Sequence, residues 1–226
     1  MKLSEKLLWG TTSILMFISI YLVFVYAPVE KSMGIVQKIF YFHVSSAWIG
    51  GLAFFVVFVC SIWGLIKQNR TSDILAQGSA EIGLLFTTIV LITGPIWAKP
   101  VWLTWWVWDA RLTLTLVVWL IYLGYVMLRY YLPNNASKSN LLSVVAIIGF
   151  IAIPINYMAI RWWRTQHPSP VIGGGENSGL SPEMRTVFFT CLFTFTSLYL
   201  LLLNRRMVIE KTKDEVDYLF KLLNSR

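Results

Sequence analysis

The sequence predicts an all-α, polytopic membrane bundle of six transmembrane helices, with both termini cytoplasmic and a tryptophan-rich loop on the outer face. Three observations carry that reading. Of 226 residues, 57% are hydrophobic and only 13% charged, about half the charged share of a soluble domain, so lipid must be the main solvent. Six apolar runs approach the length of about 20 residues that a bilayer core demands. The basic residues divide unevenly between the segments joining those runs, which orients the bundle. The net charge of +8 therefore reads as cytoplasmic lysine and arginine, with no nucleic-acid partner implied.

The apolar runs cover roughly residues 7–26, 44–66, 82–98, 112–132, 141–160 and 184–203. The first follows Lys2 and Lys6 and could mimic a signal peptide. Its apolar stretch is too long for that, and Pro28 would follow the only plausible cleavage point, after Ala27, so it reads as a retained span. With the N-terminus inside, twelve of the nineteen lysines and arginines fall on the cytoplasmic side and seven on the outer side. The last span opens with Ser181-Pro182-Glu183, a capping serine followed by proline in the first turn. The chain divides into a six-span domain, 1–206, and a charged cytoplasmic tail, 207–226. In that tail Val216, Leu219, Phe220 and Leu223 keep helical spacing, as a solvated amphipathic end would.

The outer loops are the unusual part. Trp97, Trp102, Trp105, Trp106 and Trp108 are five of the chain's eleven tryptophans. They form either an aromatic belt at the headgroup level or an apolar stacking wall with N–H donors at its edges. Trp102, Trp105, Trp106 and Asp109 have i, i+3, i+4, i+7 spacing, and Pro100 suits a first helical position, so a short helix is expected there. Asp109 and Arg111 are either a local ion pair or a carboxylate beside a guanidinium fork free to meet a ligand carboxylate.

The only two histidines, His43 and His167, both fall on the outer side, the second just after Trp162-Trp163. Ala47, Gly50 and Gly51 share a helix face with His43, leaving room for a flat ligand or for close helix packing. Pro95 and Pro154 interrupt spans three and five near the same end, either as ordinary kinks or where backbone lines a cavity. Gly173-Gly174-Gly175 reads as a flap or a slack linker. Zinc wants three or four protein ligands, and the two histidines with scattered acids do not supply them. Haem fits better: iron takes axial nitrogen ligands while the ring needs an apolar, planar pocket.

At these residues a family resemblance emerges. The run Trp102–Thr113, with its Trp-Trp-x-Trp-Asp-x-Arg-Leu-Thr core, resembles the tryptophan-rich WWD signature of cytochrome c assembly membrane proteins. His43-Val44 with Ala47-Trp48 is similar to that family's first histidine motif, and Trp162-Trp163 with His167 to its second. Length and six spans point to the small CcmC branch, since the CcmF and CcsA-type relatives have more spans. The resemblance covers the six spans to about residue 206 and departs from the family pattern in four places. Leu103 stands where glycine is expected, Ser45-Ser46 where proline-alanine is common, and Gln166 and Pro168 where leucine and glutamine flank the second histidine.

The resemblance implies a haem-transfer protein of the bacterial inner membrane and not an enzyme. Haem b would sit at the outer leaflet with His43 and His167 as axial ligands of its iron. Trp97, Trp102, Trp105, Trp106, Trp108, Asp109, Arg111, Trp162 and Trp163 would surround it. It would pass to the haem chaperone CcmE, with the small subunit CcmD and the CcmA–CcmB transporter as neighbours. Three alternatives stay open. A CcsA-like synthetase subunit shares the motif; a cytochrome b or quinone-type redox subunit would place its histidines within spans; a secondary transporter would show inverted repeats and midplane polar sites.

Overall fold

The structure is a computed structural model that describes residues 3–67, 69–133, 136–168, 170 and 179–224. Gly173-Gly174-Gly175 and the terminal Lys2 and Arg226 lie outside these residues. Six long helices follow in chain order: α1 (Leu3–Tyr21), α2 (Ile39–Ile66), α3 (Arg70–Trp102), α4 (Ala110–Tyr131), α5 (Ala136–Trp162) and α6 (Pro182–Asn224). Each is long and apolar enough to cross a membrane. A π-helical turn at Leu22–Tyr26 extends α1, and a 3-10 turn at Ile35–Lys38 leads into α2. The start of α1 lies beside the second half of α6, where Arg205 meets Glu5 at 3.6 Å.

The helices α2, α3, α4 and α5 share one core, in which Phe54 stacks on Tyr122 at 3.6 Å among Val57, Ala80, Val118 and Ala146. Close approach of α2 and α3 depends on small residues. A Cβ placed on Gly83 would stand 2.6 Å from the Phe54 ring, and one on Gly50 would meet Thr87 at 3.3 Å. Close helix packing is therefore what Gly50 serves, whereas Gly51 has open space beside it. In α1, Thr12 and Ser19 bond Ser197 and Thr194 of α6 at 2.6 and 2.7 Å, joining two helices that lipid alone would not drive together.

The apolar runs understate the helices. α3 begins at Arg70, with Asn69 as its cap, twelve residues before the expected start at 82. α6 continues without a break through residue 206 to Asn224. The polar extensions of α3 and α6 meet each other. Arg206 of α6 grips both oxygens of Glu81 at 2.5 and 2.9 Å and also bonds Glu210. Arg70 forks onto Asp214 at 2.7 and 2.8 Å, and Arg129 of α4 joins Asp73. Beyond this cluster Val216, Leu219, Phe220 and Leu223 are exposed.

The short helix expected across Trp102–Asp109 does not form. Pro100 lies inside α3, which ends at Trp102, and Leu103 takes a left-handed conformation (φ +62°) that stops the helix. Residues 103–109 run as irregular chain until Asp109 caps α4.

Candidate functional site

At the loop end of the bundle, α2, α3, α4 and the connection after α5 bring the sequence-selected side chains together. His43 lies in the first turns of α2 and is buried. Its Nδ1 is 2.8 Å from the hydroxyl of Thr93 on α3. One turn further along α3, Trp97 sets its ring edgewise to the imidazole, with centroids 5.9 Å apart. Helical spacing on one face of α3 thus builds both contacts.

His167 follows the end of α5 and is partly buried. Its Nδ1–H donates to the carbonyl of Pro168 at 2.9 Å, which leaves the lone pair of the neutral ring on Nε2. Burial, and after it the nearby Arg111 guanidinium, push the imidazole down to about 4, so it is neutral at physiological pH.

Asp109 and Arg111 do not pair with each other in the way one sequence reading allowed. Asp109 accepts from the Leu112 amide as the α4 cap, and its other oxygen accepts from the Gln166 amide. Arg111 donates one N–H to the carbonyl of Asn156 on α5 at 2.6 Å. A guanidinium has five N–H donors, and among the described residues this is the hydrogen bond the Arg111 side chain makes.

The five indoles do not make one flat wall. Trp97 and Trp106 turn inward, and the Nε1–H of each is buried without a hydrogen-bond partner among the described residues. Trp102 ends α3 half-buried. Trp105 and Trp108 are exposed, the first beneath Lys99 and the second edge-on to Trp106 at 5.7 Å. Trp162 and Trp163 are also exposed and pack edge to face at 5.8 Å. An open apolar groove of about 320 Å³ runs between Leu91, Trp106, Trp108 and Leu116. A second, of about 520 Å³, joins the two loops along Val107, Asp109, Arg164 and Gln166. Both are shallow and open to the surroundings, unlike the enclosed clefts that bury most of a small ligand.

Chemically, the two imidazoles can offer nitrogen lone pairs, the indole N–H groups and Arg111 are unfilled donors for carboxylates, and the groove is apolar. A flat apolar ligand carrying a metal and acidic groups fits this set. Sequence reasoning missed Thr93 and Asn156. Asn156 links α5 to both Arg111 and Thr115.

A family model described as CcmC: Heme exporter protein C matches residues 1–219. The chain belongs to that family. Among its relatives is a Heme exporter protein C from Escherichia coli, 32% identical over 185 residues, covering 81% of this chain and 74% of the relative. Another, from Haemophilus influenzae, is 30% identical over 205 residues, covering 90% and 83%. A third, from Bradyrhizobium diazoefficiens, is 34% identical over 173 residues, covering 74% and 66%.

Within the Heme exporter protein C family the departures of this chain acquire physical meaning. Leu103 occupies a left-handed position, the conformation that glycine adopts without steric cost. At Gln166 the contact to Asp109 uses the backbone N–H, and at Pro168 the contact to His167 uses the carbonyl. Neither contact uses the side chain. Ser45 and Ser46 are fully buried with their hydroxyl oxygens unpartnered among the described residues; nothing in the structure explains them.

Proposed function

We propose that this membrane protein binds haem b at the loop end of its bundle and delivers it to the haem chaperone CcmE during cytochrome c maturation. His43 and His167 would take the two axial positions of the iron, from α2 and from the connection after α5. Membership of the Heme exporter protein C family supports the haem-handling role. The observation that supports the axial reading is that His43 is buried edge-on to Trp97, while Asp109 ties the connection carrying His167 to the tryptophan loop.

Each residue then has a task. Trp97 and Trp106 supply apolar contact and N–H donors; Arg111 meets a propionate; Asp109 holds the His167 loop against the start of α4. Trp102, Trp105, Trp108, Trp162 and Trp163 bound the rim and exclude water. Bound iron supplies the site for axial ligation, and the chain presents the ring without transforming it. The site would face the periplasm from the bacterial inner membrane, with CcmD and CcmA–CcmB adjacent. The division at residue 206, with a cytoplasmic tail beyond it, is part of the same reading.

Transfer can be measured directly. Haem-loaded protein in detergent, mixed with the soluble domain of CcmE, should lose its haem absorption as CcmE gains it. The double variant H43A/H167A should deliver none. Full transfer from that variant would contradict the proposal.

A further inference from the structure

We infer that Thr93 is a positioning residue that fixes the tautomer of His43 and so aims its Nε2 lone pair at the iron. The inference rests on the haem-binding reading above and deepens it.

The argument is a count of protons. A threonine hydroxyl carries one hydrogen. Thr93 Oγ1 lies 2.7 Å from the carbonyl of Ile89, one turn back in α3. A carbonyl can only accept, so that contact uses the single hydroxyl hydrogen. The same oxygen lies 2.8 Å from His43 Nδ1. With no hydrogen left to give, Thr93 must accept there, and Nδ1 must be the protonated nitrogen. In the neutral ring Nε2 then holds the lone pair, and among the described residues nothing bonds it.

The acceptor is rigid. Threonine is β-branched with restricted χ1, and its back-bond to Ile89 selects one rotamer. The ring is also confined. Gly94 lies beside it, where an added Cβ would stand 3.5 Å from Cε1, and Trp97 closes the slot edge-on. One turn of α3 therefore fixes both the proton and the plane of the imidazole. An N–H held by an oxygen acceptor also raises the basicity of the opposite nitrogen as a metal ligand.

The test uses the full chain in detergent, labelled with nitrogen-15 histidine. His167→Gln assigns the remaining ring signals to His43. Without haem, Nδ1 should resonate as a protonated nitrogen and Nε2 as an unprotonated one. Thr93→Ser should keep this pattern, whereas the isosteric Thr93→Val should mix or reverse it. On loading with haem, Thr93→Val should lower affinity about 10–100-fold, the usual cost of losing such a partner. It should also shift the haem midpoint potential upward, while Thr93→Ser restores both. A wild-type His43 protonated at Nε2, or a Thr93→Val protein with unchanged affinity and potential, overturns the inference. The wild-type spectrum decides this even if Thr93→Val fails to fold. Unchanged haem binding in His43→Ala would instead overturn the haem reading, and the iron-directed part of this inference with it.

Discussion

Asp109 accepts a hydrogen bond from the backbone N–H of Gln166 at 2.9 Å while its other carboxylate oxygen caps α4 at Leu112, also at 2.9 Å. One side chain thus ties the tryptophan loop to the loop that carries His167.

Asp109→Ala should therefore be costly on two counts. Loss of an N-cap costs about 1 kcal/mol, and a hydrogen bond to a charged acceptor contributes about 1.5–3 kcal/mol. Thermal unfolding in detergent should show a clear drop, and haem titration a weaker site because His167 loses its anchor. Asp109→Asn, which keeps one acceptor oxygen, should fall between. A variant with wild-type stability and affinity would show that the Gln166 contact does not hold the loop.

Gly83→Ala tests the core that positions α2 against α3. Its new Cβ would sit 2.6 Å from the Phe54 ring, which is itself stacked on Tyr122. Phe54 cannot swing away without disturbing that stack. Overpacking of this kind costs about 1–3 kcal/mol. Gly51→Ala, in open space, is the matched control and should leave the melting temperature unchanged; equal effects at both positions would refute the packing argument.

Topology follows from the charge distribution along the sequence and can be read by fusion. A reporter placed after Trp108 and another after Pro133 should become active on opposite sides of the membrane, the first outside and the second in the cytoplasm. Both on one side would mean that α4 does not cross.

The indoles should separate by direction. Trp97 and Trp106 face inward with unfilled N–H groups, whereas Trp105 and Trp108 face outward. Alanine at either inward position should lower haem affinity by on the order of 1 kcal/mol for the lost aromatic contact, with a smaller part recovered by phenylalanine, which lacks the N–H. Alanine at Trp105 or Trp108 should cost less in a binding titration. Equal losses at all four would favour a general interfacial belt.

The six spans were legible because lipid demands long uninterrupted apolar runs, and this chain has six. Their ends were not, because helices carry on into water once polar side chains find partners. The Arg70–Glu81 stretch of α3 and the Arg206–Asp214 stretch of α6 pair across space, which no local pattern announces. The expected helix over Trp102–Asp109 shows the opposite error. Four residues in helical register are weak against a left-handed Leu103 and a capping Asp109. At the site, the two histidines and the tryptophan cluster stood out by rarity and density. Thr93 did not, because threonines recur in these helices and its partner lies fifty residues away.

The central claim is axial ligation by both histidines, and visible absorption of the haem-loaded protein tests it most directly. Wild type should show a six-coordinate, bis-histidine spectrum. His43→Ala and His167→Ala should each give five-coordinate or weakly held haem, and added imidazole should restore the six-coordinate spectrum by filling the vacated position. The double variant should lose axial ligation altogether. If the double variant instead matches wild type in spectrum and occupancy, the iron is held elsewhere and the account of this site is wrong.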